Sequence, residues 1–109
     1  MLVNEMIAEV QRLALEEYGR ASEKYGATHH TQHEGYAVMR EEFQEAVEAL
    51  NDVGELLEDK YWSNVRKDNF KANKQVESAI YSKAVLAACE CIQVAAMAHK
   101  SLMSRKENE

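Results

Sequence analysis

The chain has 109 residues and a mass of 12.4 kDa, and its 19 acidic and 13 basic side chains leave a net charge of −6. Hydrophobic residues make up 46% of the sequence, with four glycines and no proline, a composition that excludes collagen-like, proline-rich and most disordered proteins. The acidic balance argues against sequence-independent binding of nucleic acid, because lysine and arginine supply most of that affinity.

The length predicts a single domain, residues 1–109. Because a few helices of this size leave apolar surface uncovered, we expect self-association as a homodimer or homotetramer. Acidic residues in the first segment, MLVNEMIAEVQRL, are atypical of a secretory signal or transit peptide. No run approaches the ~18 uninterrupted apolar residues of a membrane span, so we expect a cytoplasmic protein without a membrane partner.

Helix one is predicted over about residues 2–25, where apolar residues recur at steps of three and four. These residues are Leu2, Met6, Ile7, Val10, Leu13, Ala14, Tyr18, Ala21 and Tyr25. Gly26 follows at the position of a left-handed C-terminal cap and ends the helix.

Helix two is predicted over about residues 32–58, beginning at a capping box formed by Thr31 and Glu34. Residues 59–74 lose the helical period and concentrate lysine and arginine, which predicts a loop that contains at most a short helical turn.

Helix three is predicted over about residues 73–103, and no segment has the alternation of a strand. The predicted fold is therefore all-α, with three long helices and one possible short helix in a bundle that oligomerisation completes. In residues 84–98 only Glu90 and Gln93 are polar, which predicts that this stretch, with Cys89 and Cys91 as reduced thiols, is the buried centre.

Glu90 is anomalous in this apolar stretch, because an unpaired buried carboxylate normally protonates, pairs with a cation or binds a metal. Gln93 lies one turn later and offers a second oxygen on the same face. Glu42 and Glu45 are spaced in the same way on helix two. If the two helices pack, three carboxylates converge, and such hard oxygen ligands suit Mg²⁺ or Mn²⁺.

The competing interpretation is that the acids of helix two form an ordinary solvated face, comprising Glu41, Glu42, Glu45 and Glu48. For the histidine cluster of His29, His30 and His33, a structural or surface role is favoured over contact with a base or phosphate and over an independent metal site. The basic residues Arg66, Lys67 and Lys71 either contact phosphates or form a solvated loop.

No glycine-rich phosphate loop and no G-x-S-x-G motif is present, which excludes P-loop and serine-hydrolase mechanisms.

The two acidic segments resemble the motifs of the MazG-like all-α nucleoside triphosphate pyrophosphohydrolases, in particular a small branch found in phages and prophages. Glu41, Glu42 and Glu45 match a Glu-Glu-x-x-Glu motif. Glu90 matches the start of a Glu-x-x-Asp motif, in which Gln93 replaces the aspartate. The resemblance covers roughly residues 20–103, and only the two motif segments are specific.

The resemblance implies a Mg²⁺-dependent hydrolase, with Mn²⁺ as a possible substitute, that cleaves nucleoside triphosphates to nucleoside monophosphate and pyrophosphate. It implies metal ligands at Glu42, Glu45 and Glu90, with Gln93 as a weaker neutral ligand or a group that supports the ligands, and Glu41 as a candidate for orienting water. Candidate substrate contacts are His33, Arg66, Lys67 and Lys71. The alternative is a non-catalytic interaction or regulatory module that retains a degenerate metal site.

Overall fold

A computed structural model describes residues 3–108, and in that range every regular element is helical. The elements are α1 (Val3–Tyr25), α2 (Gln32–Glu55), a π-helical segment (Leu56–Tyr61), α3 (Trp62–Arg66) and α4 (Phe70–Asn108). The all-α prediction is therefore confirmed, with three long helices and a short one. Residue 2, the first of predicted helix one, lies outside the described range.

The predicted signals at the end of α1 and the start of α2 are present. Gly26 has a φ of 92°, in the left-handed region that favours glycine, and its N–H donates to the Ser22 carbonyl. The Glu34 N–H donates to the Thr31 hydroxyl at 3.1 Å, and the Glu34 carboxylate accepts from the His30 N–H at 3.3 Å. This capping arrangement orders the chain between the two helices.

The loop predicted for residues 59–74 is wrong. The chain stays helical through Arg66 and breaks only at residues 67–69. The π-helical segment explains the error at the start of this stretch, because its wider turn shifts the phase of the side chains and interrupts the period of 3.6 residues that marks an α-helix. Asp68 has a φ of 53°, and the Asn69 side chain accepts from the Ala72 N–H at 3.2 Å, so α4 begins earlier than predicted.

The chain divides into two compact units. The first unit contains the described residues up to 43 and from 91 onward, so α1, the first part of α2 and the last part of α4 belong to it. In this unit Tyr18 packs edge-on against His99 with ring centroids 4.6 Å apart. The His29 N–H donates to the Ser104 hydroxyl at 2.7 Å, which ties the connection before α2 to α4.

The second unit contains residues 44–90. Ala46 and Ala49 of α2 and Ala87 of α4 are buried, and Lys83 pairs with Asp52 at 3.2 Å between the same two helices. The π-helical segment and α3 are held to α4 by hydrogen bonds around the buried Asn73, which accepts from the Asn64 amide at 3.0 Å and donates to the Tyr61 carbonyl. The small buried alanines allow α2 and α4 to approach closely.

The prediction that residues 84–98 form a buried centre is wrong for the single chain. In this stretch Ala87, Ala96 and Met97 are buried, while Val85 is 48% exposed. Both cysteines of the stretch are free and exposed rather than buried. The cause is that the other helices cover only part of the circumference of α4.

Residues 70–105 of this helix are also long and apolar enough to cross a membrane by length and composition alone, a test that core helices of soluble proteins pass as well.

Candidate metal centre

Three acidic residues come together from two helices. Glu42 and Glu45 are one turn apart on α2, so helix geometry alone places them on one side of it. Glu90 is carried by α4. Glu42 and Glu90 are half-buried and Glu45 is exposed, which leaves the group accessible from solvent.

One carboxylate oxygen from each of Glu42, Glu45 and Glu90 lies within 4.8 Å of the others. Two oxygens bound to the same Mg²⁺ ion are at most about 4.2 Å apart, because each metal–oxygen distance is about 2.1 Å. The oxygens are therefore separated by at most about 0.6 Å more than this limit. The donor set therefore fits a small, hard divalent cation, and it contains no nitrogen or sulfur that would favour zinc.

The electrostatic environment of Glu90 is also compatible with a bound cation. Partial burial, and after it the hydrogen bond and the charge of the neighbouring Glu45 carboxyl, raise the pKa of Glu90 above the ordinary value for glutamate. A raised pKa means that ionising this carboxyl in the folded chain is unfavourable. A bound cation would remove that penalty, since it neutralises the charge that the two carboxylates share.

The other residues of the two acidic motifs lie outside this group. Glu41 is exposed on α2 and is not one of the three converging acids. Gln93 is half-buried and follows Glu90 by one turn of α4, as its spacing requires. Its side chain adds an oxygen without adding charge.

The predicted substrate contacts are exposed and fall in two places. His33 lies in the first turn of α2, in the first unit. Arg66 ends α3, Lys67 follows it in the turn, and Lys71 lies in the first turn of α4, all in the second unit. The three basic residues therefore lie at and beside the turn between α3 and α4. His33 belongs to a different unit of the chain.

The first unit also contains a cleft of about 810 Å³ that the sequence did not predict. Its lining comprises His29, Thr31, Gln32, Gly35, Tyr36, Met39, Ala98, Ser101, Leu102, Ser104 and Arg105. His29 is buried, whereas His30 and His33 are exposed. Within the described residues neither ring nitrogen of His29 has a hydrogen-bond partner, and its Nδ1 lies 3.9 Å from a Glu34 carboxylate oxygen.

Gly35 is the sequence signal that marks this cleft, because a glycine inside a helical pattern often permits a close approach. A Cβ atom on Gly35 would lie 2.9 Å from Cδ2 of His29 and 3.1 Å from the Ser101 hydroxyl oxygen. The absent side chain therefore makes room for the buried imidazole beside α2.

Substituting Gly35 by alanine is expected to destabilise the protein by about 1–3 kcal/mol, because the new methyl group overpacks against His29. Gly54→Ala is the matched control, since it lies in the same helix with no atom within 4 Å of its Cβ position. Alanine's higher helix propensity should make that variant more stable by about 1 kcal/mol. Urea unfolding monitored by circular dichroism measures both changes, and shifts of the same sign would contradict this interpretation of Gly35.

Comparisons with known proteins leave the resemblance untested: a scan against family models, a search of curated proteins and a search of solved structures each found no match.

Proposed function

We propose that the protein is a Mg²⁺-dependent nucleoside triphosphate pyrophosphohydrolase, which converts a nucleoside triphosphate and water to nucleoside monophosphate and pyrophosphate. The observation that carries the proposal is the convergence of Glu42, Glu45 and Glu90 to within 4.8 Å. The resemblance of the two acidic motifs to those of the MazG-like family supplies the reaction type.

The proposed roles of the residues are those that the family resemblance implies. Glu42, Glu45 and Glu90 would hold the metal, and Gln93 would act as a neutral ligand or support one of them. Bound Mg²⁺, or Mn²⁺ in its place, would neutralise charge that develops on the phosphate oxygens. Glu41 would orient the water that attacks the α-phosphorus, where a new P–O bond forms as the bond to the pyrophosphate oxygen breaks.

The exposed basic residues Arg66, Lys67 and Lys71 are proposed contacts for the phosphate chain, and His33 is a further candidate. Each of these four side chains is exposed to solvent and can therefore contact a dissolved substrate. The protein is further proposed to act in the cytoplasm, with no membrane or nucleic acid as a partner.

A non-catalytic regulatory module is the second candidate, and Gln93 is the observation that favours it. Where the resembled motif has aspartate, Gln93 removes one negative charge from the ligand set. Such a module would retain a weakened cation site and would bind nucleotide or a partner without hydrolysis.

The test is incubation of the purified chain with a panel of nucleoside triphosphates and Mg²⁺, followed by separate detection of pyrophosphate and orthophosphate. We expect equal amounts of pyrophosphate and nucleoside monophosphate from at least one triphosphate. Metal binding without any product would favour the regulatory module, and release of orthophosphate alone would contradict cleavage at the α-phosphorus.

A further inference from the structure

The cleft of the first unit differs in charge from the rest of this acidic chain. None of the described residues that line it is aspartate or glutamate, although the chain has a net charge of −6. Its lining includes one cation, Arg105, which is exposed and makes no ion pair within the described residues. A guanidinium in a cleft without acidic side chains favours a ligand that carries negative charge.

His29 supplies a second, independent indication of a ligand. It lines the cleft and is only 5% exposed, and within the described residues neither of its ring nitrogens has a hydrogen-bond partner. The Glu34 carboxylate oxygen at 3.9 Å from Nδ1 is too distant for a hydrogen bond. An imidazole always carries at least one N–H donor, and burial of that donor without a partner is unfavourable. A ligand that accepts a hydrogen bond from His29 would remove this penalty.

The imidazole is held in place without a ligand. The His29 backbone N–H donates to the Ser104 hydroxyl at 2.7 Å, and Gly35 leaves room for the ring beside α2. Binding therefore does not have to order this side chain, which lowers the entropic cost of complex formation.

Two of the hydroxyl groups in the lining already have partners. The Ser104 hydroxyl donates to the Lys100 carbonyl at 2.8 Å, and the Thr31 hydroxyl accepts from the Glu34 N–H at 3.1 Å. The imidazole of His29 and the guanidinium of Arg105 are therefore the groups best suited to recognise a ligand.

The remainder of the lining is mainly apolar. Met39 of α2 lines the cleft together with Ala98 and Leu102 of α4, and the ring of Tyr36 lies beside them. The cleft has a volume of about 810 Å³, within the range of roughly 300–1,000 Å³ that is typical of sites for small organic molecules. Such a lining favours a ligand with a hydrocarbon or aromatic body, which a simple inorganic anion lacks.

We propose that this cleft binds a small organic carboxylate with an apolar or aromatic body. The carboxylate accepts a hydrogen bond from His29 and pairs with Arg105, while the body packs against the apolar lining. A carboxylate fits better than a phosphate monoester, because one guanidinium balances a single negative charge and the monoester carries nearly two at neutral pH. This site is separate from the proposed function, since none of the three converging acids lines the cleft.

Calorimetric titration with phenylacetate, in the presence of a metal chelator and without nucleotide, tests the proposal independently of the metal centre. We expect the wild-type protein to bind phenylacetate with a dissociation constant of about 1 mM or lower. Phenylacetamide has the same aromatic body without the charge and should bind at least about tenfold more weakly. In NMR spectra of the histidine rings, phenylacetate should shift the signals of His29 and leave those of His30 and His33, which do not line the cleft.

Arg105→Gln should weaken phenylacetate binding by about two- to fivefold, the effect of removing one exposed charge. It should leave the fold unchanged, because this side chain is exposed. Arg20→Gln is the matched control, since Arg20 is an exposed arginine of α1 that does not line the cleft.

Four results would each overturn the proposal. They are no saturable shift of the His29 ring signals at about 10 mM phenylacetate, equal binding of the acid and the amide, tighter binding of phenyl phosphate than of phenylacetate, and unchanged affinity in Arg105→Gln.

Discussion

Replacing Glu90 by glutamine is expected to lower pyrophosphate release by about 100-fold or more while leaving the chain folded. Glutamine has nearly the same shape as glutamate, so the packing of α4 is kept, but the carboxylate oxygen that lies near Glu42 and Glu45 is lost. Glu90 would act by holding the metal that neutralises the developing anion, and weakening one such stabilising group typically costs a factor of about 10²–10³. The pKa of Glu90 is raised in the folded chain, so replacing this carboxyl removes an unfavourable ionisation rather than a stabilising one.

Glu48→Gln is the matched control for this substitution. Glu48 is exposed on α2, one turn after Glu45, and it is not among the converging acids. The control should keep full activity, and circular dichroism should show unchanged helix content in both variants. Equal turnover of wild-type protein and Glu90→Gln would remove Glu90 from the proposed mechanism.

Mg²⁺ is expected to raise the melting temperature of the wild-type protein, because a ligand that binds only the folded chain stabilises it. At a concentration of 100 times the dissociation constant the gain is about 2.7 kcal/mol, which for a chain of this size corresponds to roughly 10 °C. Glu45→Gln should lose most of this gain, and Glu48→Gln should keep it. Differential scanning calorimetry with and without metal measures the shift.

The stabilisation by Mg²⁺ should depend on pH in a defined direction. Because the pKa of Glu90 is raised, the folded chain keeps a proton at pH values where the unfolded chain has released it. Without metal, the contribution of Glu90 to the free energy of unfolding is therefore lost as the pH rises. The loss begins near the pKa of glutamate in the unfolded chain, about 4.3, and is complete above the higher pKa of Glu90 in the folded chain. Metal binding requires the deprotonated carboxylate, so the gain from Mg²⁺ should be larger near neutral pH than near pH 5. A gain that grows with acidity would contradict this account of Glu90.

The sequence predicted those parts of the structure that depend on local signals. Gly26 ended α1, and Thr31 with Glu34 began α2, because caps act over a few neighbouring residues. Spacing, and the anomaly of an acid in an apolar stretch, single out Glu42, Glu45 and Glu90. Their convergence then required only that α2 and α4 pack side by side.

The sequence did not predict features that depend on more distant contacts. The π-helical segment Leu56–Tyr61 shifts the helical phase, so the end of this segment resembles the start of a loop. The exposure of residues 84–98 reflects how much surface the rest of one chain covers, a quantity that apolar composition does not reveal. The burial of His29 depends on Gly35 and on Ser104, which is 75 residues away.

A Mn²⁺ titration followed by electron paramagnetic resonance tests most directly whether Glu42, Glu45 and Glu90 form one cation site. The signal of free Mn²⁺ disappears when the ion binds protein, so the titration gives both stoichiometry and affinity. We expect one strongly bound Mn²⁺ per chain in the wild-type protein and in Glu48→Gln, with binding at least about tenfold weaker in Glu42→Gln, Glu45→Gln and Glu90→Gln. Equal Mn²⁺ binding by the wild-type protein and these three variants would show that the carboxylates do not form the site.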